Sequence, residues 1–321
     1  MSETEENDIP EGARISDLPA ISSGSLQLDI ALGAGGISCG QFVEISGAES
    51  SGKTTLCQHI IAGAQQMGRL CAWIDTDHSF NPAYAQRCGV ELGRLYFASP
   101  PDAEQAFDIL EALSGTGAGN VIVMDSVDAL TPRSEFDLPL GVTTPLFDDE
   151  DHGEKLLSLA LRKLAPWIQR KQAIILFTTK AQRQRSEAYH QLSTHLSRLA
   201  LKLHAGLRLR IQETSLVLQD EITIGQRVQV KILKSTNVVS PQPVEFDIIY
   251  DQGINHSGEV FDLGLQLGLI RQQRKGYTFQ SLSLGTGRGQ AIQTLERRAM
   301  IRPMEQAIRQ KLLRTSISAE T

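Results

Sequence analysis

The sequence predicts an α/β fold: a mainly parallel central sheet, extended on one side by antiparallel strands and followed by a small α+β unit. Three observations predict it. A strand, a glycine-rich turn and a helix follow one another directly between Gln41 and Met67. Leu70–Asp75, Val121–Asp125 and Ala173–Thr178 are apolar almost throughout and alternate with helical stretches, as strands buried on both faces do. After about residue 206 the helices give way to apolar runs separated by short polar breaks, the pattern of antiparallel strands.

The 321 residues have room for one large and one small domain, placed at 22–252 and 253–321 after a short N-terminal segment, 1–21. Met1–Ala20 is short and polar. Ser22–Ile30 carries a turn and then a short helix ending at Gly33, and Gly35-Gly36 makes a tight loop. Gln41–Ser46 alternates like a short strand, and Thr54–Met67 places Leu56, Ile60, Ile61 and Ala64 on one helical face. A helix comes next around Pro82–Cys88, and another at Asp102–Leu113 turns Ala106, Ile109, Leu110 and Leu113 inward. Gly115–Asn120 is a loop, and Leu156–Ile168 is helical. Leu207–Ile211, Leu216–Leu218, Val228–Leu233 and Val244–Tyr250 read as separate strands, and Pro303 divides the last helical stretch.

Composition excludes several classes. No run approaches the roughly eighteen apolar residues of a membrane span, and the acidic Met1–Glu11 is unlike a signal peptide. Cys39, Cys57, Cys71 and Cys88 lack metal-type spacing, which suits reduced core cysteines in a cytoplasmic protein. The net charge of −6 argues against a generally basic surface for nucleic acid but leaves room for a local basic groove.

The turn Gly47-Ala48-Glu49-Ser50-Ser51-Gly52-Lys53-Thr54-Thr55 fits the P-loop pattern, in which backbone N–H groups wrap a triphosphate. The helix N-terminus supplies free donors and partial positive charge. Lys53 would neutralise phosphate charge, and the Thr54 hydroxyl would ligate Mg²⁺. Asp125 closes an apolar strand and fits the acid that holds the same ion directly or through water. Asp77 lies just after another strand end; it could polarise an attacking water or cap a helix. Tyr84 and Tyr250 could stack on an adenine or simply pack.

Gly47–Thr54, Ile74–His78, Asn81–Tyr84 and Val121–Leu130 together resemble the bacterial RecA recombinase family, as do Ser22–Gly36 and Gly253–Gly264. The resemblance runs from about Ser22 to about Ile270. It implies a RecA-like P-loop ATPase core that uses ATP and Mg²⁺, forms a filament on single-stranded DNA and promotes homologous pairing and strand exchange in repair. It implies Lys53 and Thr54 on phosphates and metal, Asp125 as the Walker B acid, Asp77 as the catalytic carboxylate, and Tyr84 and Tyr250 beside the adenine. It also implies DNA-binding loops at about Glu135–His152 and Ala181–Arg198.

The chain departs from the family in its site residues, its loops, its start, its paired lysines and its C-terminal end. The catalytic glutamate is Asp77, one methylene shorter, and the γ-phosphate-sensing glutamine is Lys180, a cation that could itself bind phosphate. The first loop carries Asp148-Asp149-Glu150-Asp151, which would repel phosphates. The second has Arg183, Arg185, Tyr189 and Arg198 for phosphates and a base. There Leu192, Leu196, Leu199 and Leu203 repeat at helical spacing, so an ordinary amphipathic helix is the competing reading. A short acidic segment stands where the polymerisation helix is expected, so growth through that helix is doubtful. Of the paired lysines near the subunit-spanning nucleotide site only Lys234 is evident, followed by Ser235-Thr236. The end of the chain is basic instead of acidic, through Arg288, Arg297, Arg298, Arg302, Arg309, Lys311 and Arg314; it could recruit duplex DNA or form a solvated helix face. These departures support an alternative: a diverged paralogue that binds ATP and regulates a second RecA-like protein without strand exchange of its own.

Overall fold

A computed structural model of the protein describes residues 19–116, 120–133, 150–181, 193–235, 242–273, 276–280 and 282–319. The chain opens with β1 (Ala20–Ile21), α1 (Leu26–Ala31) and β2 (Ile37–Ser38). Next come β3 (Gln41–Gly47), α2 (Lys53–Gln66), β4 (Cys71–Asp75), α3 (Pro82–Arg87), β5 (Leu95–Ala98) and α4 (Ala103–Thr116). They lead to β6 (Val121–Asp125), α5 (Glu150–Lys171), β7 (Ile174–Lys180) and α6 (Ser193–His204). Four strands come after α6: β8 (Leu207–Gln219), β9 (Ile222–Lys234), β10 (Val244–Ile249) and β11 (Gly253–Ile254). The C-terminal unit holds α7 (His256–Gln266), β12 (Ile270–Gln273), β13 (Gly276–Phe279), β14 (Leu282–Gly285), α8 (Arg288–Arg297) and α9 (Ile301–Ala319).

Among the described residues the large sheet has nine strands in the order β11-β10-β9-β8-β3-β7-β6-β4-β5. From β8 to β5 every neighbouring pair is parallel, and β9, β10 and β11 add on antiparallel. The central strands β4 and β6 are apolar up to their closing aspartates, and β7 up to Thr178, because successive side chains enter different cores, while β3 also buries Glu44 and Ser46. Val43, Val123 and Leu176 pack with Leu56, Ile60 and Ile61 of α2. Their neighbours Phe42, Ile122 and Phe177 pack on the other face with Leu110 of α4, Leu161 and Ile168 of α5, and Leu201 of α6. A third core joins Val260, Phe261, Phe279, Leu284, Leu295 and Met304 of the C-terminal unit to Leu26 of α1. The helix just after residue 21 therefore contributes a buried side chain to the far end of the chain.

Several expectations are corrected. β8 is one continuous strand, although Leu207–Ile211 and Leu216–Leu218 read as two. Beyond Ile211 the β8–β9 hairpin leaves the packed layers, so Leu216, Leu218 and Ile222 are exposed among polar neighbours while β9 still satisfies the backbone of β8. β5 is a strand that the sequence does not announce. It is an edge strand with exposed Tyr96 and Phe97, and so lacks the buried-strand signature. α5 begins at Glu150 instead of Leu156 and continues through Pro166, so Glu150, Asp151 and His152 belong to a helix, not to a loop. Pro303 lies in the first turn of α9, where a missing N–H costs nothing; the break between the last helices comes earlier, at Arg298–Met300.

In α6 the helical reading holds for Ser193–His204, but the buried face is not the leucine stripe. Leu201 and Ala200 are buried, whereas Leu199 is 47% and Leu203 69% exposed. All four cysteines are free and buried. No helix among the described residues is long and apolar enough to cross a membrane.

Candidate functional site

The glycine turn lies at the C-terminal end of β3, between the ends of β7 and β8. Such a crevice at the carboxyl ends of parallel strands is where α/β sheets receive ligands. Two glycines allow the turn. A Cβ at Gly47 would strike Ser51 Oγ and come within 2.5 Å of the Ile211 carbonyl oxygen. Gly52 has φ +97°, in the left-handed region, and a Cβ there would strike Ile248. Gln226 supports the turn from β9, donating from Nε2 to the Ser50 carbonyl at 2.8 Å.

The side chains expected to act together are brought together. Lys53 Nζ donates to the carbonyls of Gly47 at 3.2 Å and Ala48 at 2.7 Å, folding back over the turn. Burial pushes its ammonium below the ordinary lysine range, against the opposing pull of Asp125 and Asp128. Thr54 Oγ1 donates to Asp125 Oδ2 at 2.7 Å, and Thr178 Oγ1 on β7 donates to the other carboxylate oxygen. Burial raises Asp125 above the usual carboxylate range, and these two hydroxyls offset part of that. The peptide Asp125–Ser126 is cis.

The residues fit a phosphate-bound divalent ion. Thr54 and Asp125 present oxygen donors of the kind Mg²⁺ takes. Ser51 Oγ, inside the turn, is buried without a hydrogen-bond partner among the described residues.

Asp77 lies beside Asp125. The Asp125 carbonyl accepts from the N–H of Thr76 at 2.9 Å and of Asp77 at 3.4 Å. Asp77 Oδ1 accepts from Ser79 N at 3.2 Å and Ser79 Oγ at 2.6 Å, a local turn that fixes the carboxylate next to the site. Asn81, not Asp77, caps α3, accepting from Tyr84 N at 3.0 Å. Tyr84 Oη lies 3.0 Å from Thr55 Oγ1, which seats its ring against α2. Tyr250 is 47% exposed, and the ion pair between Arg87 of α3 and the next residue, Asp251, puts it on the same side of the molecule.

Lys180 ends β7. Its Nζ lies 2.9 Å from Glu49 Oε1 in the turn, and its backbone N–H donates to Asp128. The hydrogen bond raises the lysine and lowers the glutamate. Sequence reasoning missed this pairing and the roles of Thr178, Asp128 and Gln226. The register of β3 on β7, which sets Lys180 opposite Gly47, brings Lys180 and Thr178 to the turn, and the folded chain carries Asp128 and Gln226 there from after β6 and from β9.

The expected DNA contacts are differently placed. Arg183, Arg185 and Tyr189 lie outside the described residues, as do 135–149 of the first expected loop. Arg198 is in α6. Lys234 donates to the carbonyls of Lys202 and Leu203 at 3.2 Å each, capping the C-terminus of that helix. Part of the basic end is engaged within the chain: Arg288 makes a two-pronged pair with Asp262, and Arg309 pairs with Glu305.

A family model described as the RecA N-terminal domain matches residues 11–255. The chain is 39% identical over 295 residues to Protein RecA of Bartonella bacilliformis, covering 92% of this chain and 84% of that one. It is 42% identical over 273 residues to Protein RecA of Chloroflexus aurantiacus, covering 84% and 76%. With Protein RecA of a Roseiflexus species it shares 40% identity over 304 residues, covering 94% and 84%.

Proposed function

The chain belongs to the RecA family, and from that premise we propose that it is an ATP-dependent recombinase that assembles on single-stranded DNA and promotes homologous pairing and strand exchange. The observation that carries the reading is agreement near 40% across most of the chain with proteins named RecA, supported by a glycine turn whose Thr54 hydroxyl donates to Asp125. That breadth favours the recombinase over the regulatory paralogue.

ATP is held by the backbone N–H groups of Gly47–Thr55, with the adenine between Tyr84 and Tyr250. Mg²⁺ would neutralise phosphate charge, and Thr54 and Asp125 are the residues that would hold it. Lys53 turns from the Gly47 and Ala48 carbonyls to the phosphates. Asp77 takes the proton of the attacking water, and Ser79 anchors its Oδ1 meanwhile. The shorter, tethered arm supports slower hydrolysis than a glutamate would give. Arg183, Arg185, Tyr189 and Arg198 contact single-stranded DNA, and the protein works in the cytoplasm. Copies of the chain associate along the strand, through a core at 22–252 that carries the site and a smaller unit at 253–321.

The test is ATP hydrolysis with and without single-stranded DNA, with Lys53→Ala as the blank, and then strand exchange with homologous duplex. Stimulation by DNA and exchange by the purified protein are expected. Nucleotide binding without a salt-sensitive complex with single-stranded DNA would overturn the reading.

A further inference from the structure

Asp125 is gripped from two sides. Thr54 Oγ1, at the start of α2, donates to Oδ2 at 2.7 Å, and Thr178 Oγ1, on β7, donates to Oδ1. The two donors belong to different elements, so the carboxylate turns one oxygen to the phosphate turn and the other to the sheet. Thr54 follows Lys53 in the turn itself, and the P-loop pattern accounts for it. That pattern leaves the second hydroxyl unexplained. Thr178 stands inside the sheet, level with Ile45 of β3, on a strand bonded to β3 on one side and to β6 on the other. Its backbone is therefore fixed, and a β-branched side chain has few rotamers to choose from. Thr178 is fully buried and Asp125 nearly so. A carboxylate oxygen that loses its donor in such a place keeps the cost of its burial.

Resting on the reading of the turn as a nucleotide-phosphate site, we propose that Thr178 is a positioning residue that makes Asp125 a one-oxygen acid, and that it thereby selects Mg²⁺ over Ca²⁺. Mg²⁺ is small, demands near-ideal octahedral geometry and keeps several of its waters, so one carboxylate oxygen serves it. Ca²⁺ is larger, takes roughly six to eight oxygens, and is often held by both oxygens of one carboxylate. To offer both, Asp125 must swing Oδ1 away from β7. That breaks the Thr178 bond and leaves two buried groups unpaired. Mg²⁺ asks for no such movement, because Oδ2 already lies beside Thr54.

The probe is Mn²⁺, followed by electron paramagnetic resonance in the complex of the full chain with a non-hydrolysable ATP analogue. Displacement of Mn²⁺ by Mg²⁺ and by Ca²⁺ gives a Kd for each, and the readout is the ratio of Kd for Ca²⁺ to Kd for Mg²⁺. Comparing that ratio between variants cancels the analogue's own preference and any general loosening of the site. Thr178→Val keeps the shape and removes the donor. It should lower the ratio roughly tenfold, the scale of one charge-assisted hydrogen bond. Thr178→Ser restores the hydroxyl and should return the ratio to that of the unaltered chain. Thermal melts check folding, and Thr178→Ala carries the same expectation if the valine variant does not fold. An equal loss of both ions, with the ratio unchanged, means that the hydroxyl only supports the fold, and overturns the proposal. A serine variant that folds but keeps the valine's ratio overturns it too. If the unaltered chain does not bind the analogue at all, the phosphate-site reading itself falls, which an unchanged ratio would not bring about.

Discussion

Asp77 is the residue where the chemistry is most sharply exposed to test. Its Oδ1 is held by two bonds from Ser79, and its backbone hangs from the Asp125 carbonyl. As the base, Asp77→Asn should cut DNA-stimulated hydrolysis by about 10²–10⁴-fold while leaving nucleotide affinity nearly intact. Asp77→Glu should raise it, because the added methylene carries the carboxylate towards the water; steady-state kcat decides both. A simple turn role would show instead as equal losses of stability and rate. Lys53, Thr54 and Asp125 were legible in the sequence because two lie in one contiguous motif and the third ends an unmistakable strand. Thr178 and the pairing of Glu49 with Lys180 were not. Their roles depend on which strands lie side by side, and register leaves no local mark in composition.

For the elements, legibility tracked burial. Strands covered on both faces are largely apolar, so β4, β6 and β7 stood out, and β3 showed by its alternation before the glycine turn, whereas the edge strand β5 carried no such demand and β8 was read as two strands instead of one. Helix α6 shows the limit of periodicity. Its leucines repeat at helical spacing, yet the sheet takes the neighbouring stripe through Leu201 and leaves Leu203 in solvent. Period alone sets the number of apolar stripes, and packing chooses among them. Leu201→Ala should therefore cost about 2–5 kcal/mol in urea unfolding, while Leu203→Ala should stay within about 0.5 kcal/mol. Reversed values would mean that α6 is rotated about its axis.

Across the whole molecule, one buried carboxylate ties the start of the core to its end. Glu259 on α7 accepts from Ser25 Oγ at 2.6 Å and Leu26 N at 3.2 Å, at the N-terminus of α1. Burial raises it from 4.5 to about 7, although Ser25 and the nearby His256 pull the other way. The folded chain thus holds a proton there that the unfolded chain gives up near 4.5, so this contribution is complete below that pH and is lost as pH rises through 7. Glu259→Gln should gain on the native chain between pH 5 and 8, by up to about 3 kcal/mol, in calorimetric melts. A constant difference across that range would show that the carboxylate does not titrate with folding. The large sheet, finally, ends in two unlike rims. One is β5, with Tyr96 and Phe97 in solvent; the other is β11, two residues long, whose Ile254 N–H is already bonded to His59 at 2.9 Å. A second copy seated on the β5 rim by any other surface leaves its own β5 rim open. Such a contact has a direction, so it repeats head to tail, closing into a ring when its rotation closes and growing a polar fibre when it does not, where a two-fold axis would have closed it into a dimer.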